Sequence, residues 1–542
     1  MKKTLLASFF AFAFAAQAET VTLTGSGTTT AQIAAIANGA TVAVSPEAQA
    51  RAEKSFATLL NAAKTGQPIY GFTVGVGWNK DREFVSVDGK LDDELVKASK
   101  DFNKGLVRAH VGAVGDALDE RTVAAIMAIR LNMVLSGTPG MQPAFVQTYL
   151  DLLNHDITPV IPGKGSIGQA DITTLGHLAL NMIGEGEVIH QGKRQAAEEV
   201  FKATGIVAVE PYGKDALALL ATNAHSLGIA VLAVEDLRQL TEVQNLVYAL
   251  SLEALDGNVS PILADNVAAK GYPAGKKTAE AMRAALSGSY LWQPSETRAV
   301  QDPLSFRDAV WILSTLDEMR ERAAGKLAIQ LNHSDDNPTV VPDVATDSDS
   351  PEVQKRYVKD GGALFSSSNF DPTPWVIDLE ATTIALAHSA NASVQRILKL
   401  NDPAFTHLTR FLGTDTTYHA FGAMEKPPVM LAREVQMLAQ PASVASMAVA
   451  GNIEDVATNA PLAAERLRQA VDNYAYILGM ELIHAAQAID LRLKANPELT
   501  LGKETRALYD AFRKEVAFMD VDRPLSDDFE KAKAFITKYM QK

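Results

Sequence analysis

The sequence predicts a mainly α protein, with a long central helical bundle and a smaller mixed region ahead of it. Three observations carry that prediction. Apolar residues recur at i, i+3 and i+4 over Lys214–Leu255, Pro303–Leu331, Pro374–Leu400, Met430–Leu438 and Ala460–Leu493. Several of these runs exceed the usual length of a globular helix, which suits one extended bundle. The chain has 542 residues, 47% of them hydrophobic, enough to bury a large core.

Taken in order, the chain opens with Lys2-Lys3, an apolar run from Leu5 to Ala16, and Ala16-Gln17-Ala18, which fits small-x-small cleavage. That pattern predicts a secretory signal peptide over residues 1–18, too short for a membrane anchor. The mature chain is expected to begin near Glu19 and to be periplasmic. No second stretch reads as long and charge-free enough to span a bilayer. Glu19 to Val44 reads as a short strand and loops, and Pro46–Lys64 as a helix. Gly66-Gln67-Pro68 then breaks the helix and delivers a glycine-rich loop, Tyr70–Asn79. Helical spacing returns over Leu91–His110, Glu120–Leu135 and Pro143–Leu153, and an apolar helix is expected from Ile172. Gly184–Ala208 reads as a small hairpin-bearing excursion. The expected organisation is an N-terminal region over 19–213, the bundle over 214–495 and peripheral helices over 496–542.

Composition excludes several functions. The net charge is −14 with no long basic run, which argues against nucleic acid or an anionic membrane as partner. Cysteine is absent, which removes disulfides, thiol catalysis and thiolate metal sites and fits an oxidising compartment. The ten histidines show no HExxH or paired ligand spacing, so no metal site is expected.

The stretch that organises the rest is Gly163–Leu180, GKGSIGQADITTLGHLAL, read together with Tyr70–Lys80, YGFTVGVGWNK. GSIG followed by D-I-x-x-L-x-H-L-A-L resembles the active-site signature of the aromatic amino acid lyases, the histidine ammonia-lyase family. In that family an Ala-Ser-Gly tripeptide after the GSxG cyclises into an electrophilic methylidene-imidazolone. Here the chain reads Gly168-Gln169-Ala170-Asp171, one residue shorter and without that Ser and Gly. The expected cofactor is therefore none. The resemblance implies a histidine ammonia-lyase-type (fumarase-like) bundle assembled as a homotetramer, with sites that mix residues from several subunits.

Further motifs follow in the family's order, from about Tyr70 to Arg492. YGFTVGVG resembles the family's YGxNTGxG loop, and by resemblance Tyr70 is the base that removes the Cβ proton, with Gly77 in the same loop. Phenol ionises near pH 10 in water, so such a base needs positive neighbours. Lys80 could supply that charge or grip the substrate; otherwise it is a solvent-facing lysine. His110, in L-V-R-A-H-V-G, is similar to a segment beside the substrate ring, the alternative being a structural histidine. Asn223, in LLATNAHS, lies close to the asparagine that touches the family's prosthetic group, although Ala221 occupies that register. Gln301–Arg307, QDPLSFR, resembles QDxYSxR with Leu304 for the Tyr, and implies that Arg307 clamps the substrate carboxylate. The alternative for Arg307 is an ion pair with Asp302 or Asp308. Asp336-Asn337-Pro338 and Asn369-Phe370 resemble S-D-N-P and G-N-F, after which Asp371-Pro372 departs from the family. Asn452-Ile453-Glu454-Asp455 resembles N-Q-E-D and makes Glu454 an acid–base candidate, or else a helix cap. Lys426, in A-M-E-K-P-P-V-M, stands where the family is uncharged.

The implied activity is that of a carbon–nitrogen lyase acting on a small amino acid or betaine. Loss of the electrophile favours a substrate whose amine leaves unaided. The chain resembles the ergothionase branch of the family, which lacks the group and eliminates trimethylamine from ergothioneine to give thiourocanate. The alternatives are a histidine or aromatic amino acid ammonia-lyase and an inactive periplasmic relative that only binds a small molecule.

Overall fold

The computed structural model describes residues 19–83, 93–359 and 361–539; the signal-peptide reading lies outside them. The chain opens on two short parallel strands, Thr20–Leu23 and Thr41–Val44, joined through the helix Thr30–Ala37. That helix was not anticipated, because its eight residues are too few for a periodic signal. Thr29 and Gln32 form a reciprocal capping box at its start. Pro46–Lys64 follows, capped by Ser45, as the Pro at its first position and Gly66 after its end predict.

Six helices position the site: α1 (Glu120–Leu135), α2 (Ile172–Met182), α3 (Ala224–Leu255), α4 (Ala309–Gln330), α5 (Thr373–Leu400) and α6 (Ala460–Ala495). Helix α3 is the axis of the molecule. It packs along α6 and also touches α1, α4 and α5, so almost every side chain on it is buried. This accounts for its apolar residues on all faces rather than on one stripe. The stretch Asp215–Leu255 is in fact long and apolar enough to cross a membrane, contrary to expectation. Its apolar window is entirely buried inside the protein, so the core of the bundle explains it. One buried ion pair ties two of the bundle helices: Arg396 of α5 grips Glu481 of α6 through Nε (2.6 Å) and Nη2 (2.8 Å).

Two predicted helices are each broken in two. Lys214–Leu255 divides into Asp215–Leu220 and α3, and Pro303–Leu331 into Leu304–Arg307 and α4. The first break has a clear cause. Asp335 accepts the backbone N–H of Asn223 (2.8 Å), a donor that a continuous helix would use, and also the hydroxyl of Thr222 (2.5 Å). Asp335 and Asp336 are themselves held by the fully buried Arg130 of α1, and Asp336 also by Lys214 at 3.2 Å. The predicted hairpin is present as antiparallel Glu187–His190 and Lys193–Ala196. The tail carries the expected pair of peripheral helices, Lys503–Phe512 and Ser526–Tyr539.

Candidate active site

The break between Leu220 and α3 opens onto a cleft of about 580 Å³. Segments distant in sequence wall it, among them the Tyr70 loop, the loop ahead of α2, the Leu217–Ala221 turn and the loop before α6. Tyr70, Gly77, His110, Phe370 and Glu454 all line it.

The Tyr70 loop folds back on itself. Ile69 N–H donates to Thr73 Oγ1 (2.8 Å), and the Gly77 N–H donates to the Tyr70 hydroxyl oxygen at 2.7 Å. Burial pushes the Tyr70 phenol above its ordinary pKa; the Gly77 hydrogen bond pulls it back, and the Glu454 charge raises it again. The backbone N–H thus stabilises a phenolate, but within one chain nothing outweighs burial. Lys80 does not provide the anticipated charge: it pairs with Asp81 at 3.2 Å and does not line the cleft.

His110 terminates the Asp93–Ala109 helix, and its Nδ1 lies 2.7 Å from the carbonyl of Leu106. Because a carbonyl only accepts, Nδ1 carries the proton and a neutral ring leaves Nε2 as an acceptor. Glu454 ends a tight turn in which Val449 and Glu454 pair through their backbones, so it is not a helix cap. Burial raises its carboxyl above the usual range, partly offset by His110. The turn uses left-handed Ala450, Gly451 and Asn452, and at Gly451 a Cβ would sit 2.3 Å from the Trp78 ring. That contact seats the Glu454 turn on the Tyr70 loop.

The loop ahead of α2 is clamped throughout. Ser166 Oγ donates to Asp171 Oδ1 (2.6 Å) and accepts from Gly168 N–H (3.0 Å). Asp171 Oδ2 accepts from the N–H and hydroxyl of Ser226. Asn459 N–H donates to the Ile167 carbonyl at 2.8 Å, and Gly168 runs so close to α6 that a Cβ would fall 2.6 Å from Ala460 N. These residues do not fit a methylidene-imidazolone. Ring formation needs a dehydrating Ser followed by a Gly; here Gln169 and Ala170 stand in the loop, and Ser166 has its hydroxyl engaged.

Asn223 is placed differently from expectation. It is fully buried and does not line the cleft, whereas Ala221 does. Its Oδ1 accepts the Ala170 N–H at 2.9 Å and its Nδ2 donates to the Phe370 carbonyl, so it ties two walls together. Arg307 and Lys426 are likewise outside this cleft. Arg307 lines a separate hollow with Trp311 and donates to Gln301 Oε1 (2.5 Å), not to Asp302 or Asp308. Lys426 is exposed at the first turn of the Lys426–Leu438 helix. Gln169, Asn79 and Asn337 line the cleft without having been singled out as site residues. The QAD departure and the D-N-P motif were the available signals for Gln169 and Asn337; Asn79 had none beyond its glycine-rich loop.

A mainly helical bundle with a tyrosine, a carboxylate and a half-buried histidine around one cleft defines a carbon–nitrogen lyase once its relatives are set beside it. The aromatic amino acid lyase family model matches residues 28–514, and the chain belongs to that family. It is 31% identical to the histidine ammonia-lyase of Geobacillus thermodenitrificans over 499 residues, 91% of this chain and 92% of that protein. Among solved structures it resembles ergothionase from Treponema denticola, an ergothioneine-degrading enzyme in complex with desmethyl-ergothioneine sulfonic acid. That likeness has a TM-score of 0.84 and 34% identity, covering 96% of this chain and 99% of that one. Tyrosine aminomutase from Streptomyces globisporus gives a TM-score of 0.84 at 28% identity, covering 96% and 97%. The fold is the histidine ammonia-lyase type.

Proposed function

We propose that this protein removes trimethylamine from ergothioneine by 1,2-elimination, giving thiourocanate, without a methylidene-imidazolone. The observation that carries the reading is the loop ahead of α2, which lines the same cleft as Tyr70. Where the electrophile would form, this loop holds Gln169 and Ala170, locked by Asn223 and Asn459. A quaternary ammonium departs as a neutral amine and needs no covalent activation. The likeness to an ergothioneine-degrading enzyme at 34% identity supports the same substrate class.

In the proposed mechanism Tyr70, as phenolate, takes the Cβ proton. The C–H electron pair becomes the second bond of Cα=Cβ, the Cα–N bond breaks, and nitrogen leaves as the neutral amine with the Cα–N pair. Glu454 donates to or orients a ring nitrogen. Acid–base groups of this kind contribute about 10²–10⁴-fold each. A cation must offset burial at Tyr70, and a clamp must hold the carboxylate. Lys80, Lys426 and Arg307 suit those tasks, but one chain does not bring them to this cleft. The proposal therefore includes a homotetramer in which Arg307 and the lysines reach the cleft of another subunit. The exposed apolar residues Trp78, on the Tyr70 loop, and Val444, Met447 and Val456, in the segment that carries Glu454, suit such burial. The Lys2–Ala18 pattern supports export to the periplasm, and the residues lining the cleft suit a small molecule.

The test is to incubate purified mature protein with ergothioneine and, separately, with histidine, following the conjugated acrylate and the amine released. Trimethylamine from ergothioneine with histidine untouched is the expected result. Ammonia from histidine would instead favour the second reading, an ammonia-lyase, which the histidine ammonia-lyase relatives near 30% identity keep in play. Binding without turnover of either would leave a binding protein.

A further inference from the structure

Gln169 occupies a particular place in the clamped loop. The backbone or side chain on each side of it is held: Ile167 by Asn459, Gly168 by Ser166, Ala170 by Asn223 and Asp171 by Ser226. Gly168 and Ala170 are both left-handed, with φ of +85° and +54°. The Gln169 carboxamide, by contrast, is half-buried, lines the cleft and has no hydrogen-bond partner among the described residues. A rigid loop that presents one unpaired polar group to a cleft is preorganised for a ligand.

The charges around it decide which end of a zwitterion it meets. Among the described residues of one chain, Glu454 is the only lining group with a formal charge, and the Arg307 that the proposed assembly supplies is committed to the substrate carboxylate. The wall built by this chain therefore offers a carboxylate nothing, whereas it suits a cationic nitrogen. Resting on the lyase reading above, we propose that the carboxamide oxygen of Gln169 faces the cationic nitrogen of the betaine. Gln169 thereby forms a neutral, specificity-determining wall for the leaving group. An amide oxygen can accept weak C–H···O contacts from methyl groups polarised by the positive nitrogen.

Neutrality matters to the rate. The elimination discharges the nitrogen, because the Cα–N pair leaves with the amine. A full negative charge beside it would stabilise the substrate more than the transition state, and so tighten binding while slowing chemistry. A carbonyl dipole holds the same group with less of that penalty.

The experiment compares Gln169→Glu and Gln169→Ala. Binding of ergothioneine is measured by calorimetry in the Tyr70→Phe background, and kcat and KM in the otherwise native chain. Gln169→Glu should lower Kd and KM about three- to tenfold through the added charge and lower kcat by about tenfold. Gln169→Ala should raise Kd about two- to fivefold, the loss of weak contacts. Both should melt with the native protein, since Gln169 supports no other described residue. A Gln169→Glu variant that binds no more tightly than Gln169→Ala, or two variants with native Kd, would overturn the inference. A purely structural role would shift Tm and leave the opposed changes in KM and kcat absent. The amine released by the native enzyme judges the underlying reading separately. If it is ammonia from histidine, the same two variants measured with histidine judge Gln169.

Discussion

The Tyr70 hydroxyl takes a hydrogen bond from the backbone N–H of Gly77, seven residues along its own loop, at 2.7 Å. The geometry fixes the phenol oxygen at the cleft and favours its charged form. Tyr70→Phe removes the base and leaves the loop's other bonds, Ile69 to Thr73 and Gly71 to Val74, in place. Turnover should fall by about 10²–10⁴-fold with an unchanged circular dichroism spectrum and nearly unchanged Tm. Native-like turnover in that variant would end the assignment of Tyr70 as base.

The pH profile follows from the same contact. A base must be deprotonated, so kcat/KM should climb as pH rises through the Tyr70 ionisation, which burial moves upward. The Glu454 charge adds to that upward shift. Glu454→Gln removes a negative neighbour, so the rising limb should move to lower pH even as the maximal rate falls. A limb that stays put or moves to higher pH would separate the two groups electrostatically. The measurement is the pH dependence of kcat/KM for both proteins.

Helix bounds were legible where a cap was explicit. Pro46–Lys64 and Glu120–Leu135 are found as predicted, because Ser45 and Asp119 mark their starts. The breaks in the long predicted helices were not legible. Nothing local to Thr222 and Asn223 announces that Asp335, over a hundred residues away, will accept their donors. Tyr70, His110, Phe370 and Glu454, named by motif resemblance, line one cleft. That resemblance could not separate lining from bracing, so Asn223 was expected at the substrate and is found tying Ala170 to Phe370. Arg307 and Lys426 show the other limit. The motifs named both, and one chain leaves both outside the cleft.

The buried ion cluster beneath the cleft gives a stability prediction. Arg130 is held by Asp335 at 2.9 Å and Asp336 at 3.1 Å, all three inaccessible to solvent. Arg130→Met leaves two buried carboxylates with Lys214 as their remaining cationic partner, and removing one member of such a cluster costs about 3–5 kcal/mol. Denaturant unfolding should show a clear fall in midpoint. Activity should fall as well, because Asp335 fixes the N–H of Asn223. A double variant, Arg130→Met with Asp335→Asn, should recover part of the stability by removing a stranded charge; no recovery would mean that packing rather than charge dominates.

The Trp78–Gly451 contact gives the last prediction. Gly451 is left-handed, with φ of +68°, and its open side is filled by the Trp78 ring. Gly451→Ala meets two costs: about 1–2 kcal/mol for the backbone conformation, and a clash that must push the ring aside. Because Trp78 is largely exposed, the ring can yield, and global stability should fall by little more than the backbone cost. The functional consequence should be larger. Trp78 lies on the Tyr70 loop and Gly451 in the Glu454 turn, so displacing one from the other alters how base and carboxylate are set around the substrate. Small misplacements of reacting groups are expensive, up to about 10²-fold in rate. The expected result is a drop in kcat out of proportion to the change in Tm, with altered Trp fluorescence reporting the displaced ring. Trp78→Ala should relieve the clash in the double variant but leave the backbone cost, so that Tm changes little and kcat stays low. A double variant as active as the native protein would show that the contact has no part in setting the two groups.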